Sequence, residues 1–142
     1  MSKFIPDFPD LFSFTVPVPV RITDLNYGGH VGNDRILSII HEARVLYLQH
    51  LELSELRFGA AGLIMKNVAI DFVRELFYGE ELRVSVRAGD FSAVSFSLYY
   101  KLEKIKEAQP LLVAAAKTVM VCFDYTTRKP SPLQESIKQQ LI

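Results

Sequence analysis

The sequence predicts an α+β domain in which an antiparallel sheet of about five strands wraps one long central helix. Three observations carry this. Projected as a helix, residues 34–51 show an apolar arc of Leu46, Ile39, Ala43, Ile36, Tyr47, Ile40, Leu51, Leu37 and Leu48 that spans more than half the circumference. An ordinary surface helix shows a narrower stripe, so something curved must cover this one. Period-two alternation, the mark of a half-buried strand, recurs at residues 12–22, 82–88 and 94–102. The elements run strand, helix and then four strands. The 142 residues form one domain, 1–142, with no repeat and no internal boundary.

In the first strand Phe12, Phe14, Val16, Val18, Val20 and Ile22 share a face. Pro17 and Pro19 lie two apart, so both missing N–H donors aim the same way, and the strand must be a sheet edge. Asn33 is a good N-cap for the helix Asp34–Leu51, with Asp34 favoured in its first turn. Leu63–Leu76 reads as the next strand, followed by a turn at Tyr78-Gly79-Glu80. Two alternating runs joined through Gly89-Asp90 make a hairpin. Its second face, with Arg83, Ser85, Ser97 and Tyr99, is polar and is expected to meet solvent or another subunit. Leu111–Asp124 is apolar on both faces, as a central strand would be, and Leu133–Leu141 reads as a short helix.

Sixteen acidic and sixteen basic side chains leave a formal net charge of zero, which gives no electrostatic footprint for nucleic acid. No apolar run approaches membrane-spanning length, and the opening Met1-Ser2-Lys3-Phe4-Ile5-Pro6-Asp7 has no apolar signal region. The expectation is a cytoplasmic protein. Its one cysteine, Cys122, lies in an apolar run and reads as a core residue. The three histidines lack zinc-ligand spacing, and no dinucleotide, Walker or nucleophile-elbow motif is present.

Chemistry concentrates in Thr23-Asp24-Leu25-Asn26-Tyr27-Gly28-Gly29-His30-Val31-Gly32-Asn33, between the first strand and the helix. One short loop brings together a carboxylate, an imidazole, three glycines and a helix amino end, whose free N–H groups favour negative charge. Asp24 reads either as an Asx-turn former or as a general base or nucleophile facing that helix end. His30 either polarises a carbonyl or hydrogen-bonds the loop. His41 and His50 read as helix-face and core residues, and Glu42 as a solvated residue or one lining a subunit interface. Arg128 and Lys129 end a strand where a phosphate could be met.

These residues resemble the hotdog-fold acyl-CoA thioesterases of the 4-hydroxybenzoyl-CoA thioesterase type, from about Phe12 to Ile137. The pattern is an Asp, then Gly-His-Val, then Asn, then the central helix. Glu42-Ala43-Arg44 and Phe123-Asp124-Tyr125-Thr126-Thr127-Arg128-Lys129-Pro130 also match. The resemblance implies hydrolysis of an acyl-CoA to a free acid and coenzyme A without metal or redox cofactor. It implies Asp24 as the catalytic carboxylate; His30, from the reading of the loop, is the second candidate catalytic residue. It also implies backbone N–H groups around Val31, Gly32 and Asn33 that polarise the thioester carbonyl, in a homodimer or homotetramer with interfacial sites. Gly29 and Ile36 complete the expected substrate-binding set, and Arg128 and Lys129 the coenzyme A contacts. Acyl carrier protein is an alternative substrate carrier.

The sequence departs from the family at Asn26, where many relatives carry a second Asp, at Gly32, where many carry Asn, and at Ile36, where an aromatic is common. Ile36 suggests an aliphatic acyl group. A non-catalytic acyl-CoA or acyl-carrier-protein binding module and an enoyl-CoA hydratase are the alternative readings.

Overall fold

The computed structural model describes residues 4–142; Met1–Lys3, the start of the segment read for a signal, lie outside the described residues. In chain order the elements are β1 (Phe14–Pro17), α1 (Asn33–His50), β2 (Gly62–Phe72), β3 (Glu81–Gly89), β4 (Ser95–Lys106), β5 (Gln109–Asp124), β6 (Lys129–Pro130) and α2 (Glu135–Leu141). The strands form one antiparallel sheet in the order β1-β3-β4-β5-β2, and the two-residue β6 pairs with β5. The expected five strands are therefore present, with one short addition.

The prolines place β1 at the sheet edge, as expected, but they also end it early. Regular pairing stops at Pro17, opposite Arg83, and only Val18 N–H continues it, donating to the Leu82 carbonyl. Val18 and Val20 still turn inward, while Ile22 is exposed within a 3₁₀ turn, Ile22–Asp24. Alternation tracks burial beyond the point where ladder bonds cease.

Ile36, Ile39, Ile40, Ala43, Tyr47 and Leu48 of α1 are buried against the concave face of the sheet. The helix begins one residue earlier than expected. Gly32 is its N-cap, with extended φ/ψ, and its carbonyl accepts from Arg35 and Ile36 N–H. Asn33 is the first helical residue and does not cap. Arg44 interrupts the apolar arc yet is buried. Its Nε donates to Glu55 Oε1 at 2.6 Å and its Nη1 to the Tyr100 hydroxyl at 3.3 Å. A buried charge is tolerated when so paired.

The outer face of the β3–β4 hairpin requires a correction. Ser85, Ser97 and Tyr99 are buried. The chain's own amino-terminal segment crosses this face, where Ile5, Phe8 and Phe12 pack on Tyr99 and Ala115. Phe8 meets the Tyr99 ring edge-on at 5.9 Å. Alternation reveals which residues share a face, but not what covers it. Cys122 is buried, and burial pushes its thiol up to about 11. Among the described residues no helix is long and apolar enough to cross a membrane.

Candidate active site

The loop before α1 is closed by backbone bonds. Asn26 N–H donates to His30 O (2.8 Å) and Gly29 N–H to Asn26 O (3.1 Å), while Leu25 and Val31 form an antiparallel bridge. The Asn26 side chain accepts from Gly28 N–H at 2.9 Å. Gly29 sits at φ +83°, where a side chain would strain the turn. Gly32 N–H donates to the Asp24 carbonyl (3.2 Å), and Val31 N–H to the Leu76 carbonyl (2.8 Å).

These last two bonds revise the expected carbonyl-polarising set, because the N–H groups of Val31 and Gly32 are already occupied. The first two helical residues, Asn33 and Asp34, have N–H groups with no acceptor among the described residues. They form the available positive end of α1.

His30, Val31, Asn33 and Ile36 line a cleft of about 520 Å³. Its other wall is Phe72 at the end of β2 and the segment after it, with Arg74, Glu75, Leu76 and Phe77, together with Lys104 of β4 and Val113 of β5. His30 Nδ1 lies 3.1 Å from Val31 O and Nε2 lies 3.7 Å from Glu75 Oε2. The Lys104 ammonium is mostly buried, 2.9 Å from Glu75 O and 3.2 Å from the Glu80 carboxylate. Sequence reasoning missed Phe72, Glu75, Phe77 and Lys104. They come from a strand end, a turn and another strand, and no linear spacing marks their meeting.

Asp24 is not in this cleft. It lines a smaller one of about 170 Å³ on the other flank of α1, with Arg21, Ser38 and Glu42. Its side chain is only 1% exposed. Oδ2 accepts from Arg21 N–H at 2.8 Å. Oδ1 is buried without a hydrogen bond, 3.6 Å from the Arg21 guanidinium. Asp24 and His30 therefore share a loop but not a cavity.

Arg128, in the turn after β5, and Lys129, at the start of β6, are exposed. In the β2–β5 register Gly62 faces Phe123 and Phe72 faces Ala114. Arg128 and Lys129 thus adjoin the Gly62 end, whereas the cleft adjoins the Phe72 end, about 33 Å away along the strand.

A sheet wrapped on one long helix is the hotdog architecture, and a cleft of mixed apolar and charged lining opens at the helix amino end. Residues 20–141 match the model of the Thioesterase-like superfamily, and the chain belongs to that family. A curated relative, the 1,4-dihydroxy-2-naphthoyl-CoA hydrolase of Microcystis aeruginosa, is 31% identical over 125 residues, covering 86% of this chain and 88% of that one. The solved 1,4-dihydroxy-2-naphthoyl-CoA thioesterase from Synechocystis superposes with a TM-score of 0.80 at 28% identity, over 90% of this chain and 94% of that one. A Thermus thermophilus thioesterase solved with coenzyme A and zinc gives 0.77 at 27%, over 92% of each chain. A 4-hydroxybenzoyl-CoA thioesterase solved with 4-hydroxybenzoyl-CoA shares the fold, with a TM-score of 0.83 at 14% identity over 91% of this chain and 98% of that one. The chain is an acyl-CoA thioester hydrolase.

Proposed function

We propose that this hydrolase releases coenzyme A from a flat, aromatic acyl thioester in the cleft at the amino end of α1, as a cytoplasmic homodimer. One observation carries the reading. His30 and Asn33, whose N–H is unoccupied at the amino end of α1, meet in a cavity whose walls combine apolar side chains with Arg74, Glu75 and Lys104. Helix-end N–H groups suit the oxyanion that develops on the thioester carbonyl. His30 supplies the imidazole in a cleft that also holds Arg74, Glu75 and Lys104. Gly29 permits the turn that presents it, and Val31 and Ile36 contact the acyl group. In this reading Asp24 anchors the loop instead of acting as base, because a base must reach the proton it removes.

Ile36 alone favoured an aliphatic chain. Phe72 and Phe77 add two half-exposed rings to the wall. Rings in such a wall favour a flat acyl group. The relatives named as naphthoyl-CoA hydrolases support the same class and coenzyme A as the carrier.

The dimer is supported by what the protomer leaves uncovered. β2 is an eleven-residue edge strand, and Met65, Val68 and Phe72 on it, like Leu37 and Val45 on α1, are exposed. Long apolar edges invite pairing. Antiparallel pairing of two β2 edges would set the Gly62 end of one copy beside the Phe72 end of the other. Arg128 and Lys129 of a second copy would then approach the cleft, where they suit the phosphates of coenzyme A. The tetramer contact expected through Ser85, Ser97 and Tyr99 loses its support, since the amino-terminal segment occupies that face.

The test is thiol release from benzoyl-, naphthoyl-, hexanoyl- and decanoyl-CoA by wild type and His30→Gln. The expected result is a higher kcat/KM for the aromatic pair and a loss of about 10²-fold or more in His30→Gln. Full turnover in a folded His30→Gln protein would move the site elsewhere.

A further inference from the structure

We infer that Glu75 is a positioning residue for His30, its carboxylate supplying the ion-pair partner that the imidazole gains when it carries the proton of the attacking water during thioester hydrolysis. The inference rests on the cleft reading above.

The geometry starts from the ring nitrogens. Nδ1 lies 3.1 Å from the Val31 carbonyl oxygen. A carbonyl only accepts, so Nδ1 carries the hydrogen and the lone pair of the neutral ring sits on Nε2. That nitrogen faces Glu75 Oε2 at 3.7 Å. A lone pair and a carboxylate repel each other, whereas a protonated Nε2 and a carboxylate attract. The pair therefore becomes attractive only while Nε2 carries the proton taken from water. The Phe77 ring meets the imidazole edge-on, with centroids 6.3 Å apart, and limits its swing.

The Glu75 side chain is exposed, but its carbonyl and the backbone of its two neighbours are held by hydrogen bonds. Arg74 N–H donates to Val113 O, the Lys104 ammonium donates to Glu75 O, and Leu76 O accepts from Val31 N–H. Phe77 N–H then donates to the Glu80 carboxylate at 2.8 Å. The bond from Val31 ties the segment bearing Glu75 directly to the residue after His30. Two cationic side chains line the cleft besides His30: Arg74 Nη1 donates to the Leu112 carbonyl, and Lys104 is engaged by the Glu75 carbonyl and the Glu80 carboxylate. That leaves His30 as the ionisable side chain nearest the Glu75 carboxylate among the described residues.

In the reaction, water adds to the thioester carbonyl carbon as one of its protons passes to His30 Nε2. The carbonyl electron pair moves to oxygen, which faces the Asn33 N–H at the amino end of α1. Collapse re-forms the carbonyl and breaks the C–S bond. The leaving sulfur takes the proton back from Nε2, giving a carboxylic acid, a thiol and neutral His30. The Glu75 carboxylate gains its favourable partner only between the two transfers, so it lowers the barrier without binding substrate.

The experiment is a double-mutant cycle on thiol release from benzoyl-CoA, using wild type, Glu75→Gln, His30→Gln and the double variant, with Glu75→Asp as the conservative control. Glu75→Gln is expected to lower kcat about three- to tenfold, in keeping with a partly exposed ion pair, with KM within about twofold. Glu75→Asp should recover part of that loss. In the His30→Gln background Glu75→Gln should cost nothing more. An equal loss in both backgrounds, a change confined to KM, or a Glu75→Gln loss as deep as that of His30→Gln would each overturn the inference alone. Wild-type turnover in His30→Gln would overturn the cleft reading and the inference with it.

Discussion

Replacing Asp24 by Asn separates two roles for this carboxylate. Asn keeps an oxygen that can accept from Arg21 N–H, the 2.8 Å bond that closes the turn. It loses the charge that strengthens this bond, worth about 1 kcal/mol. It also loses the 3.6 Å ionic contact with the Arg21 guanidinium. The Arg21 side chain is 65% exposed, so solvent reduces that contact to a few tenths of a kcal/mol, in the range of about 0–1 for surface pairs. The expected sum is about 1–2 kcal/mol, or a fall of about 3–8 °C in Tm for a domain this size. Asp24 faces Ser38 and Glu42 across α1 from the His30 cleft. kcat should therefore stay within about threefold of wild type, since no group that reaches the thioester is altered. The assay is steady-state thiol release with thermal melts on the same samples. A kcat loss of 10²–10⁴-fold with an unchanged melt is the signature of a lost base and would refute the assignment of chemistry to the His30 side.

Two further outcomes follow from the fold. If β2 edges pair, a mixture of His30→Gln with the double variant Arg128→Ala, Lys129→Ala should regain up to about a quarter of wild-type activity, because half of the dimers are mixed and each mixed dimer holds one intact site; no recovery after subunit exchange would place Arg128 and Lys129 outside the site. Burial alone would raise the Glu55 carboxyl, but the hydrogen bond and charge of Arg44, and then of His41, hold it below its ordinary value of 4.5. Because folding lowers this value, the stability Glu55 contributes is complete above about 4.5 and is lost as pH falls through the folded-state value. Glu55→Gln should therefore lower stability at pH 7 by about 1–2 kcal/mol, and the deficit should shrink below pH 4.5; a deficit independent of pH would remove the charge from the account.

The parts of the fold legible in the sequence were those set by local stereochemistry and periodicity. Two prolines two apart marked an edge strand before any partner strand was identified. A helix apolar over more than half its girth required a wrapping sheet. What escaped was set by contacts between distant segments. The polar stripe of the hairpin gave no hint that Ile5, Phe8 and Phe12 would lie across it, since residues 4–12 show no period of their own. The Asn33 cap failed because Gly32 already had the extended backbone an N-cap needs. Within the site, the loop was legible as a concentration of glycine, carboxylate and imidazole. Its opposite wall was not, because Phe72, Glu75 and Phe77 acquire their meaning only when Val31 N–H bonds to Leu76 O.

The same bond bears on why the expected carboxylate and imidazole part company. Within residues 24–32, Gly32 N–H bonds back to Asp24 O and Asn26 N–H bonds to His30 O, which makes the loop a narrow hairpin. Val31 N–H then fastens one arm of that hairpin to the segment beyond β2, and His30 faces that segment. Arg21 N–H fastens the other arm through Asp24 Oδ2, which turns the carboxylate inward beside β1. Two anchors on opposite sides thus direct the two side chains to opposite flanks of α1. Closeness in sequence placed them on one loop, but the backbone hydrogen bonds decided which cavity each one meets. With Asp24 drawn inward, the carboxylate near the imidazole is Glu75, forty-five residues further along the chain and delivered by the end of β2.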